Sequence, residues 1–84
     1  MTIEDQLRAI LCDVLGLDAE RAAALDAGTP LFGAMPELDS MAVAGLLTEI
    51  EDRLDILIED DEVGGEMLET FGGLAAFVKA KRGA

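Results

Sequence analysis

Histidine, tyrosine and tryptophan are absent from this chain, and serine and cysteine occur once each, as Ser40 and Cys12. Without histidine there is no imidazole acid–base chemistry and no histidine metal site. One cysteine excludes an internal disulfide and a thiolate zinc cluster. Nothing is present to activate Cys12, which reads as the edge of a helix face and not as a nucleophile. Basic residues are scarce: 6 Lys and Arg against 18 Asp and Glu give a net charge of −12. That surplus repels phosphate backbones and anionic lipid, so nucleic acid is excluded as a partner, and basic protein surfaces are favoured. No apolar run reaches membrane-spanning length, so no membrane insertion is expected. The start of the chain is acidic and has no apolar core of the signal-peptide kind. The expected location is cytoplasmic.

What is present is apolar and helix-forming. Hydrophobic residues make up 51% of the chain, with Leu and Ala far ahead of Val, Ile and Thr, which favours helix over sheet. A chain of 84 residues is a single domain, 1–84, with a thin core. Ile3, Leu7, Ile10, Leu11, Val14 and Leu15 share one helical face, Thr2 can cap it, and Gly16 ends it, which predicts a first helix over about 3–15. The stretch 18–25 is Ala-rich and suits a turn or a short helix. Gly28, Pro30, Gly33 and Pro36 break any long element here, and Leu31 and Phe32 between them are expected to anchor a long loop on the core. A second helix is predicted over about 40–55, with Val43, Leu46, Leu47, Ile50 and Leu54 inward and Met41, Gly45, Thr48 and Asp52 outward.

Ile56, Leu57 and Ile58 read as a packed connector. The acid run of residues 59–62 suits the first turn of a short third helix, stopped or distorted by Gly64 and Gly65. Read as a calcium loop from Glu59, the run puts Gly64 at position six. Position twelve, however, would be Thr70 where a bidentate Glu is required, so no metal site is assigned. Thr70 is the expected cap of a last helix with Phe71, Leu74, Ala75 and Val78 inward and cations in its final turn. The fold class is therefore all-α: a small four-helix bundle with a long loop between helices one and two and a short third helix.

Against this background Ser40 stands out. Asp39 can cap the second helix, which puts the Ser40 hydroxyl at a helix N-terminus, where backbone N–H groups and the helix dipole favour a negative group such as a phosphodiester. A plain helix start has the same appearance. Ser40 has no nearby base to make it a nucleophile, so no catalytic residue is assigned and the chain is not expected to be an enzyme.

Val14-Leu15-Gly16-Leu17, Thr29-Pro30-Leu31-Phe32, Leu38-Asp39-Ser40-Met41, the Glu51-Asp52 pair, Ile58 before the acid run, and Thr70 together resemble the acyl carrier protein family over nearly the whole chain. The resemblance implies an acyl-carrier bundle. Its serine would receive 4′-phosphopantetheine from coenzyme A and carry acyl groups as thioesters, with Ser40 as the attachment residue and Asp39 as its motif partner. It also implies a phosphopantetheinyl transferase and acyl-loading and acyl-transfer enzymes as partners. Their basic docking surfaces would be met by Glu51, Asp52 and Asp55, with Met41 as an apolar contact on what is expected to be a monomer. Glu37 stands where the family has glycine, Met41 where it has leucine, and Ala42 and Gly45 where many fatty-acid carriers have acids. The wording of residues 36–41 is similar to stand-alone carriers of bacterial exosortase and exopolysaccharide gene sets, which implies a specialised lipid or exopolysaccharide-associated pathway. Two other readings remain open: a peptidyl or aminoacyl carrier, and a non-carrier acidic helical interaction module.

Overall fold

A computed structural model describes residues 2–32, 38–63 and 65–83. The breaker residues Gly33, Ala34, Met35 and Pro36, the motif residue Glu37, and Gly64 lie outside the described residues. The described chain forms α1 (Ile3–Leu15), α2 (Ala19–Ala23), α3 (Ser40–Leu54), a 3-10 turn (Asp60–Glu62), α4 (Gly65–Glu69) and α5 (Phe71–Gly83), and no strand is found among these residues.

The caps explain the boundaries. Thr2 Oγ1 accepts the Asp5 N–H at 3.1 Å to open α1, and Gly16 closes it at φ 68°, a left-handed conformation that costs glycine nothing. Asp18 accepts the Arg21 N–H at 2.8 Å and nucleates α2 inside what the sequence suggested as a turn or short helix. Thr70 Oγ1 accepts the Gly73 N–H at 3.0 Å and opens α5. The three long helices, α1, α3 and α5, begin within a residue of where the periodicity and caps placed them.

The core is a single apolar cluster. Leu7, Ile10 and Leu11 of α1 meet Leu46, Ile50 and Leu54 of α3 and Phe71, Leu74, Ala75 and Val78 of α5, and α1 packs against both of the other long helices. Leu17, Leu25, Leu31, Leu38, Met67 and Leu68 close the cluster from the loops and α4. Val43 and Leu47, expected in the inward stripe, pack on this cluster but remain half-buried. They line a groove alongside α3.

The long loop is stitched to the start of α5. Leu31 N–H donates to Glu69 O, Phe32 N–H to Leu68 O, Phe71 N–H to Thr29 O and Gly72 N–H to Ala27 O, all at 2.9–3.0 Å, with Pro30 and Thr70 forming an isolated bridge. Leu31 is fully buried, as expected of an anchor. Phe32 is not: it is 47% exposed, and only its backbone is tied down. In the connector after α3, Ile56 and Ile58 pack on the core while Leu57 is 67% exposed.

The acid run does not open the third helix. Glu62 N–H donates to Glu59 O while the Glu62 carboxylate accepts from Glu59 N–H and from Lys81, so the run closes on itself as the 3-10 turn. Gly65 then begins α4 and does not terminate a helix already under way. Lys81 and the Glu59 N–H together hold the Glu62 carboxyl below its usual range, as Lys79 does for Glu4.

Helix α3 ends at Asp55, whose φ of 54° makes it the one non-glycine left-handed residue among those described. Its N–H donates to Glu51 O. A left-handed L-residue is strained, and a carboxylate at a helix C-terminus opposes the dipole. Asp55→Gly is therefore expected to raise stability by about 0.5–1 kcal/mol, seen as a higher urea midpoint at unchanged slope.

Candidate functional site

The site is built at the start of α3. Asp39 adopts extended backbone (φ −96°, ψ −177°), and its Oδ1 accepts the Ala42 N–H at 2.8 Å. The Asp39 carbonyl takes the first intrahelical bond, from Val43 N–H at 2.9 Å. Leu38, just before the cap, is buried, while Val43 four positions into the helix packs on the core. That is the arrangement of a hydrophobic staple, which fixes the angle at which the chain enters the helix. Ser40 follows as the first helical residue, and its side chain is exposed. No described residue donates to or accepts from its hydroxyl. The backbone N–H groups of Ser40 and Met41 likewise have no partner among the described residues, so they and the dipole present positive potential beside that oxygen. Met41 is 86% exposed. The cap, the staple and the exposed serine fit a phosphodiester: a rigid, accessible hydroxyl at the positive end of a 15-residue helix.

Below Ser40, α3 presents two parallel rows at helical i, i+4 spacing. Ser40, Ala44 and Thr48 form an exposed outer row, and Val43, Leu47 and Glu51 form a half-buried inner row. Ile58 and Val63 face them across a groove of about 480 Å³. The groove opens beside Ser40 and runs down the helix to Glu51. Glu51 Oε2 accepts the Ile58 N–H at 2.9 Å, which pins the 56–58 connector to α3 and sets the far wall.

The other expected recognition residues lie at the opposite end of the helix. Asp52 is 12 residues from Ser40, about 18 Å along the axis, and Asp55 lies beyond it. Met41, Gly45, Thr48 and Asp52 share the exposed face, as the periodicity indicated. Glu51 is the member that the structure also gives an internal task, the bond to Ile58. A carboxylate reaching seven residues onward, out of its own helix, leaves no local spacing signal that would have revealed it.

The surrounding charge is one-sided. Arg53 is the one base between residues 37 and 69, and it is spent on Asp13 of α1 and Glu49, each at 2.8 Å. Asp13 first, and Glu49 after it, hold the guanidinium further into its protonated range. Lys79 is paired with Glu4 and Lys81 with Glu62. Asp52 and Asp55 have no cationic partner among the described residues, so the exposed face of α3 stays negative. Among those residues no group of three or more acids or thiols could hold a metal ion, and no helix is long and apolar enough to cross a membrane.

A family model described as "Phosphopantetheine attachment site" matches residues 5–78. The acyl carrier protein of Streptococcus thermophilus is 33% identical over 81 residues, which cover 96% of this chain and 97% of that protein. The solution NMR structure of a holo acyl carrier protein from Nitrosomonas europaea superposes with a TM-score of 0.90 at 43% identity, and the match covers 100% of both chains.

Proposed function

This chain belongs to the acyl carrier protein family, and on that premise we propose that Ser40 is where it bears its covalent 4′-phosphopantetheine. As a carrier it is not itself a catalyst. The observation that supports Ser40 is its position: an exposed hydroxyl without a partner among the described residues, one residue inside a helix capped by Asp39. In the transfer, Ser40 Oγ forms a phosphodiester with the pantetheine phosphate of coenzyme A, its proton leaves, and the phosphoanhydride bond to the adenosine bisphosphate breaks. The transferase supplies the base, since the adjacent Asp39 carboxylate is engaged in capping the helix on the Ala42 N–H. Acyl groups then ride on the arm's thiol as thioesters. The groove that starts at Ser40 suits shelter of the acyl chain between visits to enzymes, because its upper part is the apolar pair Val43 and Leu47 facing Ile58 and Val63. The test is loading with coenzyme A and a broad-specificity phosphopantetheinyl transferase, followed by intact-protein and peptide mass spectrometry. One arm on the peptide containing Ser40 is expected, and an unmodified protein would refute the assignment.

Partner enzymes read the exposed face of α3. Met41 supplies an apolar contact and Asp52 and Asp55 uncompensated charge, matched by Arg or Lys on the phosphopantetheinyl transferase and on acyl-loading and acyl-transfer enzymes. Rim charges of this kind act mainly on the association rate and are screened over about 8–10 Å near physiological salt. Asp52→Lys is the clean variant, because Glu51→Lys would also break the bond to Ile58. It is expected to slow association with the transferase about threefold at low salt, with the difference shrinking as salt rises. An unchanged low-salt rate in stopped-flow measurements would remove α3 as the recognition surface. Glu37, Met41, Ala42 and Gly45 depart from the wording of many fatty-acid carriers, which supports a specialised lipid or exopolysaccharide-associated pathway in the cytoplasm over a housekeeping role. Identification of the acyl group on protein isolated from its own cells tests that placement.

A further inference from the structure

We infer that the groove below Ser40 selects acyl chains that carry a hydroxyl group over fully saturated chains of the same length, with Glu51 and Thr48 as the specificity-determining residues. This rests on the carrier reading above and on shelter of the cargo in the groove. The argument starts from the order of residues along it. A chain entering at Ser40 first meets Val43 and Leu47, with Ile58 and Val63 opposite. One turn further down the inner row the lining becomes the Glu51 carboxylate, and the outer row at that level is Thr48.

The hydrogen bonds these two side chains already make decide what they can offer a ligand. Thr48 Oγ1 donates its proton to Ala44 O at 3.0 Å, so what faces the groove is an oxygen that accepts. Glu51 Oε2 is occupied by the Ile58 N–H, and its other oxygen takes no hydrogen bond from the described residues. The second Glu51 oxygen and Thr48 Oγ1 are therefore acceptors with no donor among the described residues. A saturated chain that reaches this level strips water from a carboxylate and replaces it with nothing, which is unfavourable. A chain with a hydroxyl brings the missing donor, and a hydrogen bond to a charged acceptor is among the stronger kinds. A keto group would not serve, because it too is only an acceptor. Moving Glu51 aside is opposed by its bond to Ile58, which would release the far wall of the same groove.

The test uses the phosphopantetheine-bearing protein loaded with octanoyl, 3-hydroxyoctanoyl or 7-hydroxyoctanoyl groups. Attachment is confirmed by mass before any cargo is compared. Shelter is read in two ways: amide shift changes at Thr48, Glu51, Ile58 and Val63 relative to the unacylated form, and thioester hydrolysis relative to the same acyl group on free pantetheine. At least one hydroxylated chain is expected to be protected about fivefold more than octanoyl and to shift these amides further. Glu51→Gln with Thr48→Val keeps an acceptor for the Ile58 N–H while removing the charge and the hydroxyl. It is expected to bring all three chains to within about twofold of one another, octanoyl gaining protection. Octanoyl sheltered as well as both hydroxylated chains in the unaltered protein, or a preference that survives the double substitution, overturns the inference. So does loaded protein in which no cargo shifts these amides, a result that leaves the attachment at Ser40 intact. Protein that takes no arm at all fails at the mass measurement and overturns the carrier assignment with it.

Discussion

Ser40→Ala is expected to abolish phosphopantetheine loading completely while the domain keeps its helicity and stability. The hydroxyl is the sole alcohol of its type in the chain, so no second serine can take the arm. It also supports nothing structurally: it is exposed, and no described residue bonds to it. Alanine is the best helix former and sits without strain in the first turn, so stability should stay within about 0.5 kcal/mol of the unaltered protein. Asp39→Ala separates presentation from chemistry. It keeps the nucleophile but removes the 2.8 Å bond to the Ala42 N–H, which should cost about 1 kcal/mol and fray the turn that carries Ser40. Loading of that variant is expected to slow without vanishing. Intact mass after timed loading, with far-UV circular dichroism and urea melts, distinguishes the two. A mass gain that persists in Ser40→Ala would move the attachment elsewhere.

The residues that made Ser40 legible in the sequence are local ones. A cap, a lone serine and an apolar period all act within a few positions of each other, so their spacing can be read directly. The same holds for Thr2 and Gly16 around α1, for Thr70 at α5, and for the inward set Phe71, Leu74, Ala75 and Val78. What escaped was set by distant partners. The acid run looked like a helix start because dipole arguments favour acids there. Lys81, 19 residues on, instead helps fold Glu62 back into a separate turn. Val43 and Leu47 carry the same apolar character as Leu46 and Ile50, and only the placement of Ile58 and Val63 opposite them decides that they line a groove. Phe32 is as apolar as Leu31, but its N–H is held on Leu68 O, a partner 36 residues on, and its side chain is 47% exposed. The electrostatic reading was half visible for the same reason. Counting charges gives the excess of acid, whereas the commitment of Arg53 to Asp13 links helices that no short window contains.

The interaction least visible in the sequence should also be the most sensitive. Gly72→Ala is expected to destabilise the domain by about 2 kcal/mol, which lowers the melting temperature by roughly 10 °C in a domain of this size. Gly72 lies in the first turn of α5, directly against the long loop. A Cβ there would stand 2.6 Å from Ala27 O and 3.0 Å from Ala27 Cα and Cβ. Two of those atoms are backbone, so no side-chain rotation relieves the clash. The Gly72 N–H also donates to that same Ala27 oxygen at 3.0 Å, so withdrawing the loop breaks the bond that holds it. The neighbouring bonds from Phe71 N–H to Thr29 O and from Leu31 N–H to Glu69 O would be strained with it, and Leu31 would be pulled from the core. The higher helix propensity of alanine offsets at most about 1 kcal/mol of this. Gly45→Ala is the matching control. Gly45 is exposed in mid-α3 with nothing within 4 Å of an added Cβ, so the same substitution should stabilise the domain by about 0.5–1 kcal/mol. Thermal and urea melts of the two variants should therefore move in opposite directions. Equal shifts of the same sign would mean that the loop is not held against α5 in solution.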